Sequence, residues 1–107
     1  MIHAYNQTIN LIPFSKNDIN YILKHYGNEK QTAKAGEELA ELIQVINKYI
    51  ACCISPEAFR EKLIEETADS IIMMNQLMIA YEIKDDEINE AIHKKLVRQI
   101  ERILDEN

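Results

Sequence analysis

The fold class is decided by residues 55–82, which read SPEAFREKLIEETADSIIMMNQLMIAYE. Ser55 is a typical helix N-cap, and Pro56 is favoured at the first helical position because the N–H that it lacks needs no partner there. Between residues 71 and 80 the only polar side chains are Asn75 and Gln76. Because a helix that is apolar all round must be covered all round, this stretch predicts a long helix surrounded by other helices.

Three further segments have the capping residues or the apolar periodicity of a helix. Ser15 followed by Asp18, and Asn28 followed by Gln31, form capping pairs, and Gly27 is suited to end the helix between them. The predicted helices span residues 16–26, 29–53 and 86–104.

The predicted last helix follows three consecutive acidic residues, 85–87, which suit the positive end of a helix dipole. No run alternates apolar and polar residues over the length of a strand. The sequence therefore predicts an all-α, antiparallel bundle of about four helices, formed by a single domain over residues 1–107. Residues 1–14 are expected to be an arm or an edge of the core.

The composition argues against several classes of protein. A net charge of −6 leaves no dominant basic face for a nucleic acid, although divalent cations allow an acidic protein to bind phosphates. No apolar run approaches the roughly 20 residues of a membrane span, so a soluble, cytoplasmic protein without a membrane partner is expected. Cys52 and Cys53 are adjacent, which disfavours an ordinary disulfide and predicts reduced packing residues.

The second predicted helix is apolar on two faces. Leu42, Val45 and Tyr49 follow one face. The other face is predicted to pack in the core, and it consists of Gly36, Leu39, Ala40, Ile43, Ile46 and Ile50. Four helices of one short chain can hardly cover both faces and also surround residues 71–80. The expected assembly is therefore a homo-oligomer, with a homotetramer preferred over a homodimer.

Two pairs of carboxylates give the strongest indication of a functional site. Glu38 and Glu41 are three residues apart on one predicted helix, and Glu66 and Asp69 are three apart on the next. Residues at this spacing are neighbours on a helix surface. Carboxylates that converge beside apolar surface repel one another and resist desolvation, and a divalent cation relieves both effects. Ligands that are all oxygen suit Mg²⁺ or Mn²⁺.

A single pair of this kind is most often a solvated helix face, and it is the occurrence of two pairs on consecutive helices that favours a site. Glu37 and Glu65 extend the two motifs but point away from the apolar stripes. They are predicted to lie in a second shell or to be solvated.

The last predicted helix has a cationic edge made of Lys95, Arg98 and Arg102, with Gln99 at the border of the neighbouring apolar stripe. Basic residues near the C-terminal end of a helix are often only solvated. Beside an acidic metal site, the same edge becomes a candidate clamp for phosphate groups.

In combination these motifs resemble those of a known family. The segments EELAE at residues 37–41 and ETAD at residues 66–69 resemble the EExxE…ExxD signature of the all-α nucleoside triphosphate pyrophosphohydrolases, the MazG-like group. The segment KLVRQIER at residues 95–102 is similar to that family's K-x-x-x-N-x-x-R element, with Gln99 where relatives often have asparagine. The resemblance covers about residues 28–104.

The resemblance implies Mg²⁺-dependent hydrolysis of a (deoxy)nucleoside triphosphate to a monophosphate and pyrophosphate, as in removal of unwanted nucleotides from the cellular pool. Family members form dimers or tetramers. Glu38 or Glu41 would orient or deprotonate the attacking water. The implied metal ligands are Glu38, Glu41, Glu66 and Asp69. The implied nucleotide-binding residues are Gln31, Lys34, Lys95, Gln99 and Arg102.

Two alternatives stay open at the level of sequence. Residues 34–38, KAGEE, are also similar to the opening motif of phosphoribosyl-ATP pyrophosphohydrolases, although residues 70–73, SIIM, replace the segment with Tyr and His that follows the aspartate in those enzymes. The other alternative is a non-catalytic helical interaction module, whose acidic pairs bind metal structurally or not at all. It predicts no turnover of any nucleotide.

Overall fold

The computed structural model describes residues 15–106, in which all regular secondary structure is helical. The predicted all-α class and the existence of the four helices are confirmed. The helices are α1 (Lys16–Tyr26), α2 (Asn28–Ile50), α3 (Pro56–Ala80) and α4 (Asp85–Glu106). The predicted arm or core edge at residues 1–14 lies outside the described residues.

No helix within residues 15–106 combines the length and the apolar composition that crossing a membrane requires.

Helices α1 and α3 begin at the predicted serine caps, but α2 does not use Asn28 as its predicted cap. Ser15 Oγ accepts a hydrogen bond from the Asp18 N–H at 3.4 Å, and Ser55 Oγ accepts one from the Ala58 N–H at 3.1 Å. Gly27, whose φ of +91° favours glycine, both ends α1 and precedes α2. Asn28 is therefore the first helical residue, and its side-chain Nδ2 donates to the backbone O of Ala80 at 3.3 Å.

The chain forms two compact units, and α1, α2 and α3 belong to the one that spans Ser15–Glu82. Helix α4 belongs to the other unit. Within the first unit α2 packs mainly against α3, and α1 contacts both. The buried apolar side chains of this unit are those of Ile19, Leu23, Ala35, Val45 and Met73.

Helices α2 and α3 are antiparallel, as the residues paired along their interface show. Near the start of α2 and the end of α3, the side chain of Gln31 hydrogen-bonds that of Gln76. At the opposite end of the pair, the rings of Tyr49 and Phe59 stack with their centroids 4.1 Å apart. This arrangement places the middle of α2, with Glu38, opposite the middle of α3.

The predicted core face of α2 is wrong. The buried residues of this helix are Gln31, Ala35 and Val45, whereas Ile43 is 57% exposed and Ile50 is 73% exposed. Both faces are apolar, but only the face of Val45 also includes Gln31 and Tyr49, which meet partners on α3. The face predicted to form the core points away from α3.

Two other packing predictions also need correction. Helix α3 is not surrounded within this unit, because Met73 and Gln76 are buried but Ile72, Met74 and Ile79 are exposed. Cys52 and Cys53 are both free, but neither is a packing residue. They lie at the end of α2, where the chain turns with a φ of +60° at Cys52 and both side chains are exposed.

Candidate functional site

Three of the four predicted metal ligands lie together. Glu38 is on α2, while Glu66 and Asp69 are one turn apart on α3. Each offers a carboxylate oxygen, and these three oxygens all lie within 4.8 Å of one another. We call these residues the carboxylate cluster. The i, i+3 spacing places both α3 members on one side of the helix, and the antiparallel interface brings Glu38 opposite them.

Two oxygens of the carboxylate cluster are buried without a hydrogen-bond partner among residues 15–106. They are Oε2 of Glu38 and Oε2 of Glu66. The Oγ of the neighbouring Ser70 is also buried without a hydrogen-bond partner among these residues. Burying an ionised oxygen without a compensating partner is costly. A hard cation bound between these oxygens would supply the missing interaction, so the donor set fits Mg²⁺ or Mn²⁺.

The environment of Glu66 favours its neutral form. Burial raises the pKa of the Glu66 carboxyl group, and the negative charges of Glu41, Asp69 and Glu38 raise it further, together with a hydrogen bond to Glu41. All of these effects oppose ionisation in the absence of a cation. A divalent cation would reverse the balance by attracting the carboxylate.

Glu41, the fourth predicted ligand, lies outside the carboxylate cluster. Its side chain is exposed, yet it is close enough to Glu66 for a hydrogen bond and for charge repulsion. Glu41 thus lies at the solvent side of the cluster, where a carboxylate has access to water.

Lys34, predicted to lie near a nucleotide, contacts the site directly. Its Nζ lies 3.3 Å from Oε1 of Glu38 and 3.7 Å from Oε2 of Glu37. The hydrogen bond to Glu38, and then the charges of Glu38 and Glu37, raise the pKa of the Lys34 amine. Glu37, which was predicted to lie in a second shell or to be solvated, is exposed and takes part in this ion pair. Lys34 partly neutralises the acidic site.

A cleft of about 540 Å³ opens beside the carboxylate cluster, between α1, α2 and α3. Its walls combine cationic, acidic, amide and apolar side chains. The lining residues include Lys30, Lys34, Glu37, Glu38, Asp69, Gln31, Gln76, Ile22, Tyr26, Ala33, Ile72 and Met73.

Gln76 is a lining residue that the sequence prediction missed. It is 1% exposed, and its Oε1 accepts a hydrogen bond from Nε2 of Gln31 at 2.8 Å. The signal in the sequence was a glutamine inside the apolar run of residues 71–80. Gln31, which was predicted to lie near the nucleotide, thus lines the same cleft and is held by α3.

Tyr26, at the end of α1, contributes an aromatic ring to the wall of the cleft. Nζ of Lys30 lies 5.2 Å from the centre of this ring, within the range of a cation–π interaction. Lys30 therefore adds a positive charge beside an aromatic surface, a pairing that the sequence motifs do not predict.

The remaining predicted substrate-binding residues, Lys95, Gln99 and Arg102, lie on α4, where their side chains are exposed. Their spacing places Lys95 and Arg102 on the same side of this helix, since seven residues are close to two turns. Because α4 belongs to the second compact unit, the role of these residues toward phosphate stays a prediction.

The geometry of the first unit can hold a divalent cation and an anionic ligand side by side. The cation would bind the carboxylate cluster, and the anionic groups of the ligand would lie near Lys34. Comparisons with family models, with curated proteins and with solved structures found nothing that matches this chain.

Proposed function

We propose that this chain is a Mg²⁺-dependent nucleoside triphosphate pyrophosphohydrolase, which converts its substrate to a nucleoside monophosphate and pyrophosphate. The observation that carries the proposal is the carboxylate cluster, in which oxygens of Glu38, Glu66 and Asp69 lie within 4.8 Å of one another and two buried carboxylate oxygens have no partner within residues 15–106. The resemblance to the MazG-like family supports the same function.

Glu38, Glu66 and Asp69 would hold the ion, with Mn²⁺ as a possible replacement for Mg²⁺. A bound Mg²⁺ would neutralise phosphate charge and lower the pKa of a coordinated water. A triphosphate is strongly anionic, and an ion held by three carboxylates allows it to approach an acidic surface. The net charge of −6 is therefore compatible with this substrate.

Glu41 is the best candidate for the general base. It lies beside Glu66 but outside the carboxylate cluster, and its exposed carboxylate can reach water. In the proposed step, a water oxygen bonds to phosphorus while a P–O bond of the α–β anhydride breaks. The water proton passes to Glu41, and pyrophosphate leaves as an anion.

The cations of the cleft would position the substrate. Lys34 lies 3.3 Å from Glu38, so binding of a divalent ion at Glu38 would free the amine to pair with a phosphate oxygen. Lys30 offers a second positive charge in the cleft. The family resemblance also implies that Lys95 and Arg102 would offset charge that builds on the leaving pyrophosphate.

The proposal includes a homo-oligomer, with a tetramer preferred over a dimer. Its support is the exposed apolar face of α2, where Ile43 and Ile50 are more than half exposed. Exposed apolar side chains grouped on one face are typical of a protein interface.

The test is a screen of ribo- and deoxyribonucleoside triphosphates with the purified protein, in which pyrophosphate and monophosphate are measured with Mg²⁺ and with EDTA. We expect equal amounts of the two products with Mg²⁺ and none with EDTA. Glu38→Gln should abolish turnover, whereas Glu65→Gln, at an exposed position outside the carboxylate cluster, should retain most of it. Absence of turnover with every nucleotide would refute the proposal and favour the non-catalytic module.

A further inference from the structure

Two buried amides lie in the cleft away from the carboxylate cluster. Gln31 on α2 is seven residues before Glu38, and Gln76 on α3 is seven residues after Asp69. Because α2 and α3 are antiparallel, both offsets run in the same direction, and each corresponds to about 10 Å along a helix. The cleft therefore has one end beside the carboxylate cluster and one end formed by amides.

The hydrogen bonds of the amide pair leave one donor with a poor partner. Nε2 of Gln31 donates to Oε1 of Gln76 at 2.8 Å, while Nε2 of Gln76 donates to Sδ of Met73 at 3.7 Å. A thioether is a weak acceptor. A nearly fully buried amide is costly unless it is well hydrogen-bonded, so Nε2 of Gln76 would gain from a stronger acceptor in the cleft.

The walls beside this donor suit a flat ring. Ile22 and Ile72 contribute apolar surface to the cleft, and Tyr26 contributes an aromatic ring. Flat heterocycles bind between apolar and aromatic side chains and are oriented by a few polar groups. The distance of about 10 Å to the carboxylate cluster leaves room for a sugar between phosphate groups at one end and a ring at the other.

We propose that Gln76, held in place by Gln31, determines specificity by donating a hydrogen bond from Nε2 to an acceptor on the edge of the nucleobase. The inference rests on the proposed function, from which it takes the phosphate end of the ligand. It adds the position of the base, Gln76 as the residue that hydrogen-bonds the base, and Gln31 as the residue that orients Gln76. A site built around such a buried donor discriminates against a base that presents no acceptor to it.

A purely structural role makes a different prediction. If the amide pair only joined α2 to α3, its removal would weaken binding of every ligand equally. If Gln76 reads the base, its removal would weaken binding of nucleotides but not of a ligand that has phosphates and no base.

The experiment is calorimetric titration of the full chain with Mg²⁺ and either inorganic triphosphate or a panel of nucleoside triphosphates with a methylene group in place of the α–β bridging oxygen, which the proposed reaction cannot cleave. Gln76→Met keeps the length of the side chain and removes the amide. Asn75→Leu is the matched control, because Nδ2 of Asn75 donates to the backbone O of Ile71 in its own helix and Asn75 is outside the described lining of the cleft. Circular dichroism checks the fold of each variant.

We expect the wild type to bind at least one nucleotide more tightly than inorganic triphosphate. Gln76→Met should weaken that preferred nucleotide by about three- to tenfold, as for one lost hydrogen bond, and leave inorganic triphosphate unchanged. Asn75→Leu should change neither. If Gln76→Met does not fold, the double variant Gln31→Met with Gln76→Met removes both amides together and should give the same selective loss.

The outcomes separate this inference from the proposed function. Equal binding of nucleotides and inorganic triphosphate, or an equal loss for both ligands, would overturn the inference even if pyrophosphate is released. Selective loss of nucleotide binding in a protein that releases no pyrophosphate would support the inference and refute the proposed function. Absence of nucleotide binding would overturn both.

Discussion

Among single residues, Glu66 is a carboxyl group whose surroundings oppose its ionisation. Burial, and then repulsion from Glu41, Asp69 and Glu38, raise the pKa of its carboxyl group. Its Oε2 has no hydrogen-bond partner within residues 15–106. Such an arrangement opposes folding of the metal-free protein at neutral pH, which is typical of a site built for a cation rather than for stability.

The first prediction concerns the stability of Glu66→Gln without metal. A carboxyl group whose pKa is raised on folding binds its proton more tightly in the folded state than in the unfolded state. Its contribution to the free energy of unfolding is therefore lost as the pH rises from the ordinary pKa of 4.5 through the raised value. The neutral amide avoids this loss. Metal-free Glu66→Gln should therefore have a higher Tm than wild type at pH 7, and the difference should shrink toward pH 4.

The measurement is thermal unfolding followed by circular dichroism between pH 4 and pH 7 in EDTA. Glu65→Gln, at the exposed neighbouring position, is the control and should not change the Tm appreciably. Adding Mg²⁺ should raise the Tm of wild type more than that of Glu66→Gln, because a ligand of the folded state stabilises it. A lower Tm for Glu66→Gln at pH 7 in EDTA would contradict this account of the carboxylate cluster.

At the level of helices, α3 buries one of two adjacent methionines and exposes the other. Met73 is 5% exposed, whereas Met74 is 42% exposed. Met73→Ala should lower the free energy of unfolding by about 2–5 kcal/mol because it leaves a cavity. Met74→Ala should cost well under half as much. Urea denaturation of both variants measures the difference in the free energy of unfolding. Equal losses for the two variants would contradict the burial of the Met73 side of α3.

The cationic edge of α4 gives a prediction about catalysis. Arg102→Ala should lower kcat/KM by about ten- to a hundredfold if Arg102 contacts phosphate, since a lost charge-assisted contact has this effect. Arg102→Lys should restore only part of the activity, because lysine lacks the planar fork of arginine. The measurement is kcat/KM at saturating Mg²⁺.

Arg98→Ala is the internal control for Arg102. Arg98 is one turn earlier on α4 and should matter less. Equal and negligible losses in Arg102→Ala and Arg98→Ala would mean that the edge is only solvated, and the carboxylate cluster would then be the sole support for catalysis.

The comparison of sequence with structure is also clearest at the scale of helices. Ser15, Gly27 and Ser55 predicted where helices begin and end, because caps act locally. The i, i+3 spacing placed Glu66 and Asp69 on one face of α3 for the same reason. The core face of α2 could not be predicted, because both faces are apolar and the choice depends on contacts with α3.

Gln31 and Gln76 illustrate the same limit within the site. Glutamine as a residue type is more often exposed than buried. Only the pairing across the α2–α3 interface makes them a buried amide pair, and that pairing connects residues 45 positions apart. Glu41 shows the converse case, since its spacing made it a neighbour of Glu38 but did not reveal that it lies outside the carboxylate cluster.

At the scale of the whole molecule, the exposed apolar face of α2 predicts self-association. We expect a homo-oligomer, preferably a tetramer, at micromolar concentration in multi-angle light scattering. Ile43→Lys should shift the protein toward monomers, because a charge cannot be buried there without a partner. Gln44→Lys, at the adjacent exposed position, is the control and should leave the assembly intact. A wild type that is monomeric at this concentration would refute the prediction.

Pyrophosphate release as a function of Mg²⁺ concentration, measured for wild type, Asp69→Asn and Glu65→Gln, tests whether the carboxylate cluster holds the catalytic metal. Asp69 belongs to the carboxylate cluster, whereas Glu65 on the same helix is exposed and outside it. We predict turnover that rises with Mg²⁺ in wild type and in Glu65→Gln, and turnover that is nearly abolished in a correctly folded Asp69→Asn. Wild-type turnover in Asp69→Asn, with its fold verified by circular dichroism, would contradict the claim that these carboxylates hold the catalytic metal.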